Sequence, residues 1–462
     1  MKDTIQAILI GAGQRGTDVY GAYALHHPER IQFVAVAEPN AKRRKHFAEE
    51  HKIPAANQFT SWEPLLKRES LGQAAFVCTQ DQQHTAPALT ALRAGYDVLL
   101  EKPMATKAEE CRQLVAVAEE TGHQLHISHV LRYTKHFQTM RDIIQFGDLG
   151  DIVNISHREN VSWWHMAHSF VRGNWRREEE SAPMILAKCC HDLDILVWLL
   201  DDRCQYLSSI GNLLHYRPEK APNGAPQYCL DGCPVADSCP YYAPFIYEDL
   251  LPLWRNYAAG AQGIEKLLTQ AYERTPKLLK AIGKISAGAR QISEYRGWPI
   301  SVVALDPTPE NVHEELRKGP YGRCVYKCDN DVVDHQVVAM QFETGPSVTL
   351  TMHGHSHCEG RFTRIQGTRA ELQATFGFGG SRIEVSEHRS GEKTVYDTSS
   401  TDAGHGGGDN RFIDAFVKSL QANDEALALS TARQSLESHL MAFAAEEARL
   451  GKKIVEMEHF RS

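Results

Sequence analysis

The 462-residue chain lacks any uninterrupted run of the roughly 18 apolar residues that a bilayer-spanning helix needs, so a membrane span is not expected. No export leader is expected either. The opening MKDTIQAILIGAG passes straight into a strand pattern, with no basic segment, long apolar stretch and small-residue cleavage site in that order, and a cytoplasmic protein is expected. Basic excess is missing too: 50 Lys and Arg stand against 58 Asp and Glu, interspersed along the chain for a net charge of −8, which argues against a nucleic-acid partner. What is present is ordinary globular material, 42% hydrophobic and 23% charged, and the length suggests two or three domains and small-molecule partners. The eleven cysteines are an odd number, expected as thiols or metal ligands rather than disulfides in a reducing compartment.

The strand IQAILI (5 to 10) runs into Gly11-Ala12-Gly13-Gln14-Arg15-Gly16 and then a helix to about Leu25. In that setting the first glycine permits the tight turn, the second lets backbone approach a pyrophosphate and the third allows helix and strand to pack closely. The next strand, FVAVAE, ends in Glu38, 22 residues beyond Gly16, where a carboxylate suits a ribose 2′-hydroxyl and favours NAD over NADP; Arg43 and Arg44 nearby keep a 2′-phosphate open. Two further strands, AAFVC (74 to 78) and YDVLL (96 to 100), complete a βαβαβ alternation, a Rossmann pattern whose strand ends converge on a ligand crevice. Thr79, His84, Glu101 and Lys102, just after those strands, join Gly11, Gly13, Gln14, Arg15, Gly16 and Glu38 as candidate cofactor contacts. An amine at Lys102, partly desolvated beside a positively charged ring, is suited to polarising a hydroxyl, and the Lys102-Pro103 bond is of the kind that adopts cis.

GAGQRG, Glu38, TQDQQHTAPALTALRAGYDVLLEKPMA and the later HVLRYTKHF together resemble the Gfo/Idh/MocA family of sugar and polyol dehydrogenases, closely over the first ~150 residues and patchily beyond. Glu101-Lys102-Pro103 looks like that family's signature. The resemblance implies a lysine touching both nicotinamide and substrate, and an α/β chain with an N-terminal Rossmann domain and a C-terminal α+β domain. That second domain would hold a large, mostly antiparallel sheet, one face closing over the cofactor and the other often forming a homo-oligomer interface. Domains are expected at 1–126 and 127–462, with an insertion at about 213–322.

Residues 181 to 200 read as one helix with Leu193, Leu196, Val197 and Leu200 on an apolar face and Lys188 and His191, three apart, on a common side. His191 is the candidate general base, because imidazole titrates near neutrality and alcohol oxidation must release the hydroxyl proton. The resemblance implies an aspartate four residues before this histidine. Here that position is Ala187, and Lys188 is expected to bind an electron-rich substrate group or to tune His191. Aromatic and polar residues mix between Trp163 and Arg176, making His165, His168, Arg172 and Trp175 substrate candidates. In GHGGGDN (404 to 410), His405 is expected to reach the site and Asp409 or Asn410 to cap the next helix.

The insertion carries Cys229, Cys233 and Cys239, and with Cys324, or Cys328 in its stead, these could supply four thiolates to a structural zinc; amphipathic helical segments are expected around 262 to 295. The expected activity is hydride transfer between NAD and a secondary hydroxyl of a sugar, polyol or glycoside. Two alternatives stand beside it: a redox-neutral glycosidase that uses NAD transiently, and a non-catalytic NAD- or sugar-sensing regulator. A small-molecule carbohydrate substrate is the expected partner.

Overall fold

The computed structural model describes residues 4–260, 295–377, 380–400 and 405–461, with a few isolated positions from 267 to 275. Most of the helical segments expected around 262 to 295 lie outside the described residues. Six parallel strands form the first sheet: β1 (Ile5–Ile10), β2 (Ile31–Ala37), β3 (Gln58–Phe59), β4 (Ala74–Val77), β5 (Asp97–Leu100) and β6 (Leu125–Ile127). Their order is β3-β2-β1-β4-β5-β6, so the chain reverses direction across the sheet between β1 and β4. Ala74 to Val77 are all buried, the unbroken apolar run required of a strand covered on both faces.

The second sheet has nine strands: β7 (Ile152–Ser162), β8 (Cys204–Asn212), β9 (His335–Phe342), β10 (Ser347–Ser356), β11 (Gly360–Gly367), β12 (Ala370–Gly377), β13 (Arg382–Glu387), β14 (Lys393–Asp397) and β15 (Val455–Glu456). They run in the order β14-β13-β12-β11-β7-β10-β9-β8-β15. Among the described residues of this sheet only β7 and β10 pair in parallel, and its other neighbours are antiparallel. Burial alternates along β9, so one face of this sheet is core and the other is open.

The C-terminal chain fastens the two sheets together. The helix Ala432–Gly451 opens on a capping box between Thr431 and Gln434, and the Ile127 amide donates to Ser430 O at 2.9 Å, so its start is tied to the end of β6. The helix Gly408–Ala422 buries Phe412 and Phe416 in the same core as β1, with Phe416 edge-on to Phe76 at 5.5 Å.

Between β8 and β9, the described part of the insertion is held by its own aromatic core. His215, Tyr216, Tyr241 and Tyr326 meet edge to face, and a bridge from Tyr228 to Arg323 closes its ends. Tyrosines therefore supply the apolar surface that orders this stretch.

Candidate functional site

The glycine turn fits a pyrophosphate on steric grounds. A Cβ on Gly11, where φ is +96°, would stand 2.5 Å from Cys78 O, and one on Gly16 would stand 2.3 Å from Gly11 O, whereas one on Gly13 would meet nothing within 4 Å. Open space lies where a dinucleotide's phosphates must approach backbone. The helix that follows begins as a π-wound turn, Arg15–Gly21, with Gln14 exposed at its start. The Glu38 carboxylate accepts from Ala12 N (2.9 Å) and Asn40 N (2.8 Å), pinning the turn to the end of β2. Arg44 is turned away to the Glu38 carbonyl.

Arg15 and Glu101 meet. The Arg15 guanidinium donates to Glu101 (2.6 Å) and to Asp409 (2.8 Å), and Glu101 also accepts from Tyr20 OH and from Ser128 Oγ (2.7 Å). Burial alone would raise the Glu101 carboxyl, but Arg15 and these donors hold it below the usual range. Arg15 and Glu101 thus brace the turn against the Lys102 loop. His84, buried, does similar work: its ring nitrogens face Pro103 O (2.6 Å) and Thr79 O (3.1 Å). The Lys102-Pro103 bond is cis.

Lys102 Nζ donates to Ala187 O at 2.8 Å, the carbonyl of the position, four residues before His191, where the resemblance implies an aspartate. His191 is 6% exposed, and its Nδ1 is buried without a hydrogen-bond partner. Burial, then the charge of Lys102, push the imidazole pKa well down, so His191 is neutral at pH 7. Its ring lies 6.1 Å from that of His405 and 5.5 Å from that of His129. His405 occupies a left-handed turn with Gly406 and Gly407, and its Nδ1 pairs with Asp409 at 3.0 Å. Asp409 therefore joins His405 to Arg15. It does not cap the helix, whose N-cap is Gly407 with no side-chain bond.

The expected continuous helix from 181 to 200 is broken. Met184–Ala187 and Cys190–Leu200 are separate helices with Lys188 and Cys189 between them, so Lys188 and His191 do not share a face. At the break Lys188 reaches the second sheet: its Nζ lies 3.2 Å from Glu159 and 3.3 Å from Glu359, both on that sheet's side. Burial would lower the ammonium's pKa, but Glu159 and Glu359 drive it up, leaving a permanent cation rather than a base. The network continues through Arg361 to Glu159 (3.0 Å) and Asp192 (2.7 Å), and from Asp192 to His157 (3.0 Å). Sequence reading missed Glu159, Glu359, Arg361 and Asp192. Only Asp192 had a local signal, its place beside His191.

The substrate candidates divide. His165 is partly exposed and pairs with Glu359 at 2.8 Å, and Trp175 Nε1 donates to Asp81 at 3.0 Å, where the 163–181 segment meets the loop after β4. His168 and Arg172 are 2% and 1% exposed and face the insertion. His168 stacks on Tyr321 at 4.8 Å, and Arg172 donates to Arg323 O (2.8 Å) and Tyr241 O (2.7 Å). These two hold the insertion in place rather than face a substrate.

Structural zinc is not supported. Cys229, Cys233, Cys239 and Cys324 line one small cavity, yet among the described residues no group of three or more His, Cys, Asp or Glu side chains is arranged to hold a metal ion. Cys229 instead has the Arg172 guanidinium 3.6 Å away, and the cysteines are free thiols. Among the described residues no helix is long and apolar enough to cross a membrane.

A glycine turn on a six-stranded parallel sheet, joined to a second, mostly antiparallel sheet, defines a two-sheet fold of the dinucleotide-binding class. The chain belongs to the Gfo/Idh/MocA family. Residues 5–129 match its model described as oxidoreductase family, NAD-binding Rossmann fold, and residues 297–457 its model described as oxidoreductase family, C-terminal alpha/beta domain. Relatives include trans-1,2-dihydrobenzene-1,2-diol dehydrogenase of Bos taurus, 33% identical over 166 residues that make up 36% of this chain and 49% of that protein. Another is 1,5-anhydro-D-fructose reductase of Ensifer adhaerens, 33% identical over 173 residues, 37% of this chain and 50% of that protein. The chain thus spans about half the length of these relatives. A solved levoglucosan dehydrogenase in complex with NADH and levoglucosan shares the fold, with TM-score 0.66 at 13% identity over 98% of this chain and 99% of that one.

Proposed function

We propose that the chain transfers a hydride between NAD and a secondary hydroxyl of a sugar, polyol or glycoside, with Lys102 and His191 as the acid–base pair. The observation that carries this reading is the anchoring of the EKP-loop lysine on the carbonyl of Ala187, four residues before a buried, neutral histidine whose pKa its charge helps to lower. NAD, when bound, supplies the hydride acceptor. The residues do the rest. Gly13 leaves room for the pyrophosphate, and the Glu38 carboxylate favours ribose hydroxyls over a 2′-phosphate. Lys102 Nζ polarises the substrate oxygen, and His191 takes the hydroxyl proton. His405, bordering solvent and steadied by Asp409, stands where that proton can leave. A sugar-directed substrate agrees with the relatives, whose names include an anhydrofructose reductase and a levoglucosan dehydrogenase.

A cytoplasmic location and a homo-oligomer belong to the same reading. The open face of the second sheet carries Ile210 and Phe362, 79% and 48% exposed, in one row with Val337. The test of function is NADH formation at 340 nm across a panel of sugars, polyols and glycosides. At least one compound is expected to turn over, and Lys102→Met and His191→Asn are each expected to cut kcat by about a hundredfold or more while retaining NAD. Turnover untouched by both substitutions contradicts the assignment.

A further inference from the structure

Cysteine gathers in and just after the insertion, where Cys229, Cys233, Cys239 and Cys324 line one cavity of about 10 Å³, room for about one water molecule. The rest of the described lining is apolar or aromatic, with Val235, Tyr241 and Tyr326 in it and neither carboxylate nor histidine. Sulfur is the reactive group this space holds. The backbone builds the convergence. Tyr228 and Arg323 form an antiparallel bridge, flanked by the Cys229 amide donating to Gly322 O and the Cys324 amide to Gln227 O, both at 2.9 Å. Side chains alternate along paired strands, so Cys229 and Cys324 leave the bridge on one side, opposite Tyr228 and Arg323. Turns in which Ala236 N donates to Cys233 O (3.2 Å) and Cys239 N to Val235 O (2.8 Å) bring the other two thiols back to the same cavity.

The four thiols are not equivalent. The Arg172 guanidinium, from a residue only 1% exposed, donates toward Cys229 Sγ at 3.6 Å and otherwise to the carbonyls of Arg323 and Tyr241. Among the described residues no carboxylate is paired with it. A buried cation without an anion stabilises negative charge arising on the sulfur beside it, which makes Cys229 the atom best placed to attack an oxidant. Cys239 supplies the access. It is half-buried and lines, besides the thiol cavity, a wider cleft of about 470 Å³ between Trp163 and residues 236 to 256.

We propose that this cavity is a thiol oxidation site, at which hydrogen peroxide closes a reversible disulfide between Cys229 and a second cysteine of the cavity. The Cys229 sulfur attacks one peroxide oxygen, the O–O bond breaks, and the departing hydroxide takes the thiol proton and leaves as water. Cys229 is then a sulfenic acid. The second sulfur displaces its hydroxyl, which leaves with the second thiol's proton as another water; two sulfurs have lost two electrons and the peroxide has gained them. No residue of the Lys102 and His191 pair takes part, so the site stands or falls apart from hydride transfer.

The full-length protein, reduced with dithiothreitol and desalted, is titrated with hydrogen peroxide, alkylated under denaturation and mapped by mass spectrometry without reduction. A disulfide joining Cys229 to Cys233, Cys239 or Cys324 is expected, reversed by dithiothreitol and formed about tenfold or more faster than the exposed Cys358 is oxidised. Cys229→Ser should abolish it and Cys358→Ser should leave it intact, an unchanged melting temperature verifying each fold. The map of the native chain decides by itself where Cys229→Ser does not fold. The proposal is overturned if Cys358 is oxidised while the cavity thiols remain alkylated, if Cys229 is oxidised without a partner, or if a cavity disulfide forms without Cys229. About one bound metal ion per chain in the protein as isolated, measured by plasma mass spectrometry, also overturns it, because the thiols would then be ligands.

Discussion

Gly13 and Gly16 occupy similar places in the same turn and should respond to the same substitution in opposite ways. A methyl at Gly16 collides with the Gly11 carbonyl, so Gly16→Ala is expected to cost about 1–3 kcal/mol in urea unfolding. Gly13→Ala meets only open space in the protein and should leave stability unchanged while weakening NAD by about tenfold or more in titration calorimetry. Equal losses of stability in the two variants would contradict the assignment of that space to a pyrophosphate. Lys188 is a different kind of residue. It neutralises two carboxylates that are 1% and 14% exposed, so Lys188→Met should lower the unfolding free energy by about 3 kcal/mol without changing NAD affinity. A variant as stable as the parent would show that the cluster is held by Arg361 and His165 alone. Lys188 also shows where residue-level reading stops. Its spacing of three from His191 suggested a shared helix face that the structure breaks, and its partner Glu359 lies 171 positions away, where no local pattern announces a pair formed by tertiary packing.

At the scale of elements, the first sheet was legible because each strand, turn and helix announces itself within about ten residues: IQAILI, then GAGQRG, then the helix to His26. The second sheet was reached only through the family resemblance, since β7 pairs with β10 and β11 across some two hundred residues and neither partner is visible from the other. The two short helices that replace the expected long one teach the same lesson. Apolar periodicity continues through 184 to 200, and the break at Lys188 and Cys189 falls where Lys188 meets carboxylates of the neighbouring sheet. The 163–176 segment was read as a substrate loop because it mixes tryptophan with histidine and arginine; half of it serves as the insertion's anchor instead. Arg172→Met should therefore leave Arg323 O and Tyr241 O buried without a donor and cost about 2–4 kcal/mol in urea unfolding, with faster limited proteolysis between 213 and 330. An unchanged proteolysis pattern would contradict the anchoring role.

For the whole molecule, buried histidines set the response to acid. Burial brings His126 and His439 down to about 3, against about 6.5 in an unfolded chain. Between those values the unfolded state binds more protons, so stability is full above pH 6.5 and falls as pH drops through the window, by about 1.4 kcal/mol per unit for each histidine. The melting temperature should decline steadily from pH 7 to pH 5, and a flat profile would contradict neutral burial. Light scattering should find an oligomer that Ile210→Asp converts to monomer, since that substitution places charge on the open sheet face. The central claim is that a carbohydrate carbon, Lys102 and His191 meet at one nicotinamide, and isotope transfer tests it most directly. With a carbon-deuterated substrate from the panel and NAD in a single turnover, mass spectrometry should find deuterium in the NADH formed by the native chain and almost none with Lys102→Met or His191→Asn. Label arriving undiminished in both variants, or no label from any carbohydrate while NAD binds, would contradict it.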